Sequence, residues 1–188
     1  AGAGKTTIME KFLSFRSFKA IESYTTRPKR DNEKGVDSKS EYVFISQKDF
    51  EGLIQKGSFA WYVQYDENYY GTLKKSLHEA LVSEQISVMI LTPEIISQLR
   101  TTIQSLGGIP EKNIISFFIW APEEDLRYRM AWRGDTMPSI RNRLGLIQFQ
   151  NEKALKLGLI KIKNDNEQKP ARVFQKMMQE YILAPPQT

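Results

Sequence analysis

The sequence predicts an α/β domain, a mostly parallel sheet with helices on both faces, interrupted by a small α+β insertion. Three observations predict it. Over the second half of the 188 residues, short continuous apolar runs alternate with helical patterns, as strands buried on both faces alternate with their crossover helices. The middle third is instead polar, turn-rich and aromatic. The first ten residues, AGAGKTTIME, set two glycines ahead of Lys5, Thr6 and Thr7 at the head of a helical pattern, an arrangement that aims backbone N–H groups at an anion.

The elements follow in order. From Lys5 the apolar residues Ile8, Phe12, Leu13 and Phe15 recur at helical spacing. FKAIESY (18–24) reads as one strand, and the polar stretch 25–40, TTRPKRDNEKGVDSKS, as a turn-rich loop. EYVFIS (41–46) reads as a strand, QKDFEGLIQKG (47–57) as a helix capped by Ser46, and FAWYVQY and NYYGT as aromatic strands around Asp66-Glu67. TLKKSLHEALVSE and PEIISQLRTTIQSLG are predicted helices separated by the strand ISVMIL. The strand NIISFFIWA, the helix PEEDLRYRMAWRG, a single long helix over PSIRNRLGLIQFQNEKALKLG, the strand LIKIKN and the helix KPARVFQKMMQEYIL complete the series. APPQT reads as a disordered tail.

Composition narrows the function. Apolar residues make up 40% and charged residues 26%, an ordinary globular balance, and the net charge of +5 favours an anionic partner. Basic residues are scattered rather than striped with aromatics, which speaks against nucleic acid. There is no cysteine, hence no disulfide or thiolate metal site, and a reducing cytoplasm is the expected location. No apolar run approaches the ~20 residues that span a bilayer, so no membrane association is expected. The single histidine, His78, reads as a surface or packed residue on a helix.

Three clusters carry chemistry. Gly4, Lys5 and Thr6 supply the end of a G-x-x-x-x-G-K-[ST] phosphate loop, whose opening glycine would lie upstream of Ala1. In such a loop Gly2, Ala3 and Gly4 present N–H groups, Lys5 reaches the β- and γ-phosphates, and Thr6 completes a Mg²⁺ shell. Alone, a Gly-Lys-Thr triplet equally starts an ordinary helix. Arg27, Lys29 and Arg30 crowd one polar loop, suited either to bidentate phosphate binding or to plain solvation. Arg127, Arg129 and Arg133, before GDTMPS, and Arg141 and Arg143, after it, can converge on a transferring phosphoryl group or simply coat helices.

Taken together, AGAGKTT, SYTTRPKRDNE, the Tyr-Val-Phe strand, NYYGT, RYRMAWRGD with RNRL, and IKIKND resemble the guanylate kinase family over essentially the whole chain. The resemblance implies a P-loop NTPase fold: a core (1–22, 83–122, 146–188), a monophosphate-binding insertion (23–82) and a helical lid (123–145), with a first strand expected before Ala1. It further implies ATP and Mg²⁺, with Gly2 to Thr7 and Asn164 at the ATP and Thr6 on the metal. Arg27 and Arg30, with Tyr42 and Tyr70, would hold the monophosphate. Ser23 and Thr72 would approach the edge of the acceptor base, Glu33 would lie near the same bound nucleotide, and Lys5, Arg129, Arg133 and Arg143 would act on the moving phosphoryl group. GMP is the implied acceptor, with no nucleic acid or membrane partner and a monomer or homodimer as the assembly.

The chain also departs from the family. Trp61 stands where the family carries a glutamate for the guanine edge, and Ile90 and Thr92 where it carries carboxylates. Relaxed base specificity is therefore one expectation. A ribose bisphosphate type of phosphosugar kinase and a catalytically weak module that binds a phosphorylated ligand are the alternatives.

Overall fold

The computed structural model describes residues 2–29, 42–65, 67–164 and 170–183. Arg30 and Glu33, most of the loop 25–40 and the APPQT tail lie outside them. The chain divides into two compact units, one of Ala1–Phe15, Thr92–Glu94 and Ile114–Thr188, the other of Arg16–Leu91 and Ile95–Asn113.

In the first unit, α1 (Lys5–Leu13) buries Ile8, Met9 and Phe12. After it come β7 (Phe117–Trp120), α6 (Glu123–Trp132), α7 (Met137–Gly145), α8 (Ile147–Lys156), β8 (Ile160–Lys163) and α9 (Pro170–Met177), which runs on into a π-helical turn, Met178–Ile182. β7 and β8 pair in parallel, Phe117 opposite Ile160. Ala3, Ala121, Leu126, Met130 and Ile140 form the core beside this ladder. Phe174 closes α9 onto α1, edge-on to Phe12 at 4.7 Å and stacked on Phe15 at 5.5 Å.

The second unit holds β1 (Phe18–Ala20), β2 (Ser23–Thr25), β3 (Tyr42–Phe44), α2 (Gln47–Gln55), β4 (Phe59–Tyr65), β5 (Asn68–Leu73), α3 (Lys74–Leu81), β6 (Ile86–Val88), α4 (Ile96–Ser105) and α5 (Pro110–Asn113). β1 and β6 are parallel neighbours. The other four strands form a sheet in the order β3-β2-β5-β4, parallel only between β2 and β3. Phe50 on α2 is fully buried under this sheet, stacked on Phe59 at 4.4 Å and Tyr69 at 5.2 Å. The Ser46 hydroxyl accepts from the Asp49 N–H, so the predicted cap of α2 is present.

Three expectations are corrected. FKAIESY is two strands, because the chain leaves β6 after Ile21, whose N–H donates to Val88, and joins β3 and β5 from Ser23 on. The predicted long helix is two helices meeting at Leu146. Gly145, which loses the most backbone freedom in a helix, sits at that break. NIISFFIWA is a strand only over Phe117–Trp120, since Asn113 closes α5 and its side-chain oxygen accepts from the Ile109 N–H.

Candidate functional site

The glycine loop is held open by its own backbone geometry and by two distant side chains. Gly2 and Gly4 have φ of +73° and +78°, the left-handed region that glycine enters without strain. Gly4 then caps α1 with no side chain, which leaves the first-turn N–H groups uncapped for an anion. A Cβ on Gly4 would stand 2.3 Å from Nδ2 of Asn164, so any other residue would displace that amide. Asn164 is buried and donates Nδ2 to the Ala3 carbonyl at 2.7 Å. Nη1 of Arg129 donates to the carbonyls of Gly2 at 3.2 Å and Asn164 at 2.9 Å, while Nη2 lies 3.9 Å from Asp125. Ala3 is buried, Lys5 is half-buried, and Thr6 and Thr7 on the first turn are exposed.

The structure therefore brings Gly2, Ala3, Gly4, Arg129 and Asn164 into one arrangement. Arg129 and Asn164 are both engaged with the loop's own carbonyls.

The turn between α6 and α7 organises the remaining arginines. Gly134, at φ +84°, ends α6 as its N–H donates to Ala131, and the Asp135 N–H donates to Met130. Thr136 then caps α7, whose first turn contains Pro138. This tight stop and restart leaves Asp135 between the helices, where it binds two cations. Arg133 grips it with Nε at 3.1 Å from Oδ1 and with Nη2 on Oδ2, and Arg143 reaches the same Oδ2 through Nη1 at 3.1 Å. Arg127 instead pairs with Glu123 on the open surface at 2.8 Å, the solvated-helix alternative for that residue. Asp135 was missed by sequence reasoning. Its signal was its place in the Gly-Asp-Thr turn, two residues from an arginine.

The second unit carries the other candidate residues. Arg27 is 8% exposed. Its guanidinium carbon lies 5.1 Å from the ring centres of both Tyr42 and Phe44, and Nη1 donates to the Pro28 carbonyl at 2.9 Å. Tyr42 packs edge-on against Tyr70 at 6.0 Å, so the two predicted hydroxyl partners of Arg27 lie side by side on β3 and β5. Phe44, the second aromatic flank, had only an apolar strand pattern to announce it. Ser23 and Thr72 are buried and share a hydrogen bond of 2.9 Å between their hydroxyls. Gly71, beside Thr72, lets the hairpin close, since a Cβ there would lie 2.8 Å from Phe59 and 2.9 Å from the Trp61 carbonyl. His78 is exposed on α3. Among the described residues no helix is long and apolar enough to cross a membrane, and no three His, Cys, Asp or Glu side chains could hold a metal ion.

The comparisons with known proteins agree on one family. A family model described as guanylate kinase matches residues 1–181. A guanylate kinase of Wolbachia sp. subsp. Brugia malayi is 34% identical over 169 residues, covering 88% of this chain and 81% of that protein. A guanylate kinase of Streptococcus agalactiae is 33% identical over 144 residues, and the match takes in 74% of this chain and 63% of that protein. In fold, the chain resembles the crystal structure of guanylate kinase from Anaplasma phagocytophilum, with a TM-score of 0.63, 20% identity, and coverage of 92% of this chain and 77% of that one.

Proposed function

The chain belongs to the guanylate kinase family, and from that premise we propose that it transfers the γ-phosphoryl group of ATP to GMP, yielding ADP and GDP. The observation that carries this reading is the loop at Gly2–Thr6, with two left-handed glycines at the uncapped head of α1. That geometry suits a nucleotide's β-phosphate, and Lys5 follows it directly. Asn164 and Arg129 act by fixing the loop's carbonyl side, which keeps its N–H groups turned toward the phosphates.

The metal fits as an ion carried mainly by phosphate and water. Mg²⁺ typically keeps several waters and takes only one or two protein ligands, and the exposed Thr6 hydroxyl on the first turn of α1 suits that role. When bound, the ion neutralises charge on the β- and γ-oxygens.

On the acceptor side Arg27, with Tyr42 and Tyr70, takes the monophosphate, and Arg30 joins it from outside the described residues. Stacking on Tyr42 and Phe44 holds the Arg27 fork in one plane before the ligand arrives. Ser23 and Thr72 attend the base, and Glu33 lies near the same nucleotide. In the transfer an acceptor phosphate oxygen forms the new bond to the γ-phosphorus while the bond to the β,γ-bridging oxygen breaks. The attacking oxygen is already anionic, so no general base is needed. Arg133 and Arg143, steadied by Asp135, stabilise charge on the equatorial oxygens. The division into core (1–22, 83–122, 146–188), insertion (23–82) and lid (123–145) belongs to this same reading.

A coupled assay of ADP release with Mg·ATP tests it. GMP-dependent turnover that disappears in Lys5→Ala is expected, and ADP release indifferent to GMP would sink the reading.

A further inference from the structure

Trp61 lies on β4 and is 3% exposed, and its indole Nε1 is buried without a hydrogen-bond partner among the described residues. Buried donors are nearly always paired. An unpaired one in a binding unit points to an acceptor that arrives with a ligand. The register says what surrounds it. Trp61 is the cross-strand partner of Thr72, residues paired in this way share a face of the sheet, and the Thr72 hydroxyl is bonded to that of Ser23. One face thus carries the Trp61 indole and two hydroxyls, and none of the three is a carboxylate.

Resting on the acceptor reading above, we propose that Trp61 reads the acceptor base by donating its indole N–H to the 6-oxygen of a 6-oxopurine. The site therefore takes 6-oxopurine nucleoside monophosphates as a class, since Trp61 offers the 2-amino group no acceptor. Guanine's N1–H and 2-amino groups are donors and call for acceptors, which an indole lacks. The 6-oxygen is the same acceptor in guanine and in hypoxanthine, so a contact made there cannot distinguish them. In adenine a 6-amino group takes its place and would set donor against donor, an arrangement that a hydrogen-bonding site rejects.

The test measures kcat and KM for GMP, IMP and AMP at saturating Mg·ATP in the wild type, Trp61→Phe and Trp61→Glu, with calorimetric titration of GMP and IMP in the absence of ATP. In the wild type, kcat/KM for GMP and IMP should agree within about fivefold, with AMP at least about a hundredfold lower. Trp61→Phe keeps the bulk and removes the donor, and should raise KM for GMP and IMP alike by about tenfold while kcat changes little. Trp61→Glu supplies an acceptor and should favour GMP over IMP by about a hundredfold. A wild type that already rejects IMP about a hundredfold, or a folded Trp61→Phe with unchanged KM for both nucleotides, overturns the assignment and leaves the kinase reading intact. Equal binding of GMP and IMP by the wild type, weakened in Trp61→Phe, without turnover of either, supports the base contact and overturns the kinase reading alone.

Discussion

Asn164 donates its side-chain amide to the carbonyl of Ala3 at 2.7 Å across 161 positions of sequence, and the same Nδ2 stands 2.3 Å from where a Cβ on Gly4 would be. One side chain thus both braces the phosphate loop and forbids bulk in it. Gly4→Ala is expected to weaken ATP binding by at least tenfold and to cost about 1–2 kcal/mol of stability from the left-handed backbone alone. Asn164→Ala should cost about 1–3 kcal/mol by leaving the Ala3 carbonyl buried and unpaired. Because the second change removes the obstacle met by the first, the double variant should be more stable than the sum of the single losses. Urea unfolding of the four proteins checks this, and strict additivity would refute the coupling.

Lys5→Ala is expected to reduce ATP affinity and to bring GMP-dependent turnover to background, since the charge proposed to meet the β- and γ-phosphates is removed. Calorimetry with Mg·ATP reads the first effect and the coupled assay the second. Equal affinity in wild type and variant would refute the role.

Arg27→Ala should raise KM for the acceptor by a factor worth about 2–4 kcal/mol, and Arg27→Lys should recover little of it, because a lysine ammonium has neither the planar fork nor the stacking surface that Tyr42 and Phe44 hold. An unchanged acceptor KM in Arg27→Ala removes this residue from the site.

Asp135→Asn should lower kcat by about tenfold with little change in ATP affinity, because a neutral amide no longer holds Arg133 and Arg143 on one carboxylate. The side chain is partly exposed, so the cost in stability should stay below about 1 kcal/mol. Wild-type kcat in this variant would show that the two arginines need no common anchor.

Much of the fold was legible because its signals are local. Ser46 announced α2, two aromatic-rich runs announced β4 and β5, and the Gly-Lys-Thr run announced the start of α1. The errors were made where a local pattern runs on through a change of partner. A half-buried pattern continues from Phe18 through Tyr24 although the chain changes sheets at Ile21–Glu22, and helical spacing continues across Leu146 although Gly145 loosens the backbone there. Asp135 was overlooked for a similar reason, because its importance rests on the approach of Arg143 from the far end of α7.

By itself the sequence determined which residue types are available for phosphate chemistry and the order in which they occur: a glycine loop with Lys5 and Thr6, a loop with Arg27, and an arginine-rich pair of helices. Spacing along one chain carries that information, since loops and helix starts are built from consecutive residues. Only the tertiary structure decided that Arg129 turns to the Gly2 carbonyl across 127 positions, that Asn164 closes on Ala3, that Ser23 meets Thr72, and that Trp61, opposite Thr72, buries an indole N–H lacking a partner among the described residues. A hydrogen bond depends on donor and acceptor lying about 3 Å apart in space, and that proximity arises only when strands pair and helices pack.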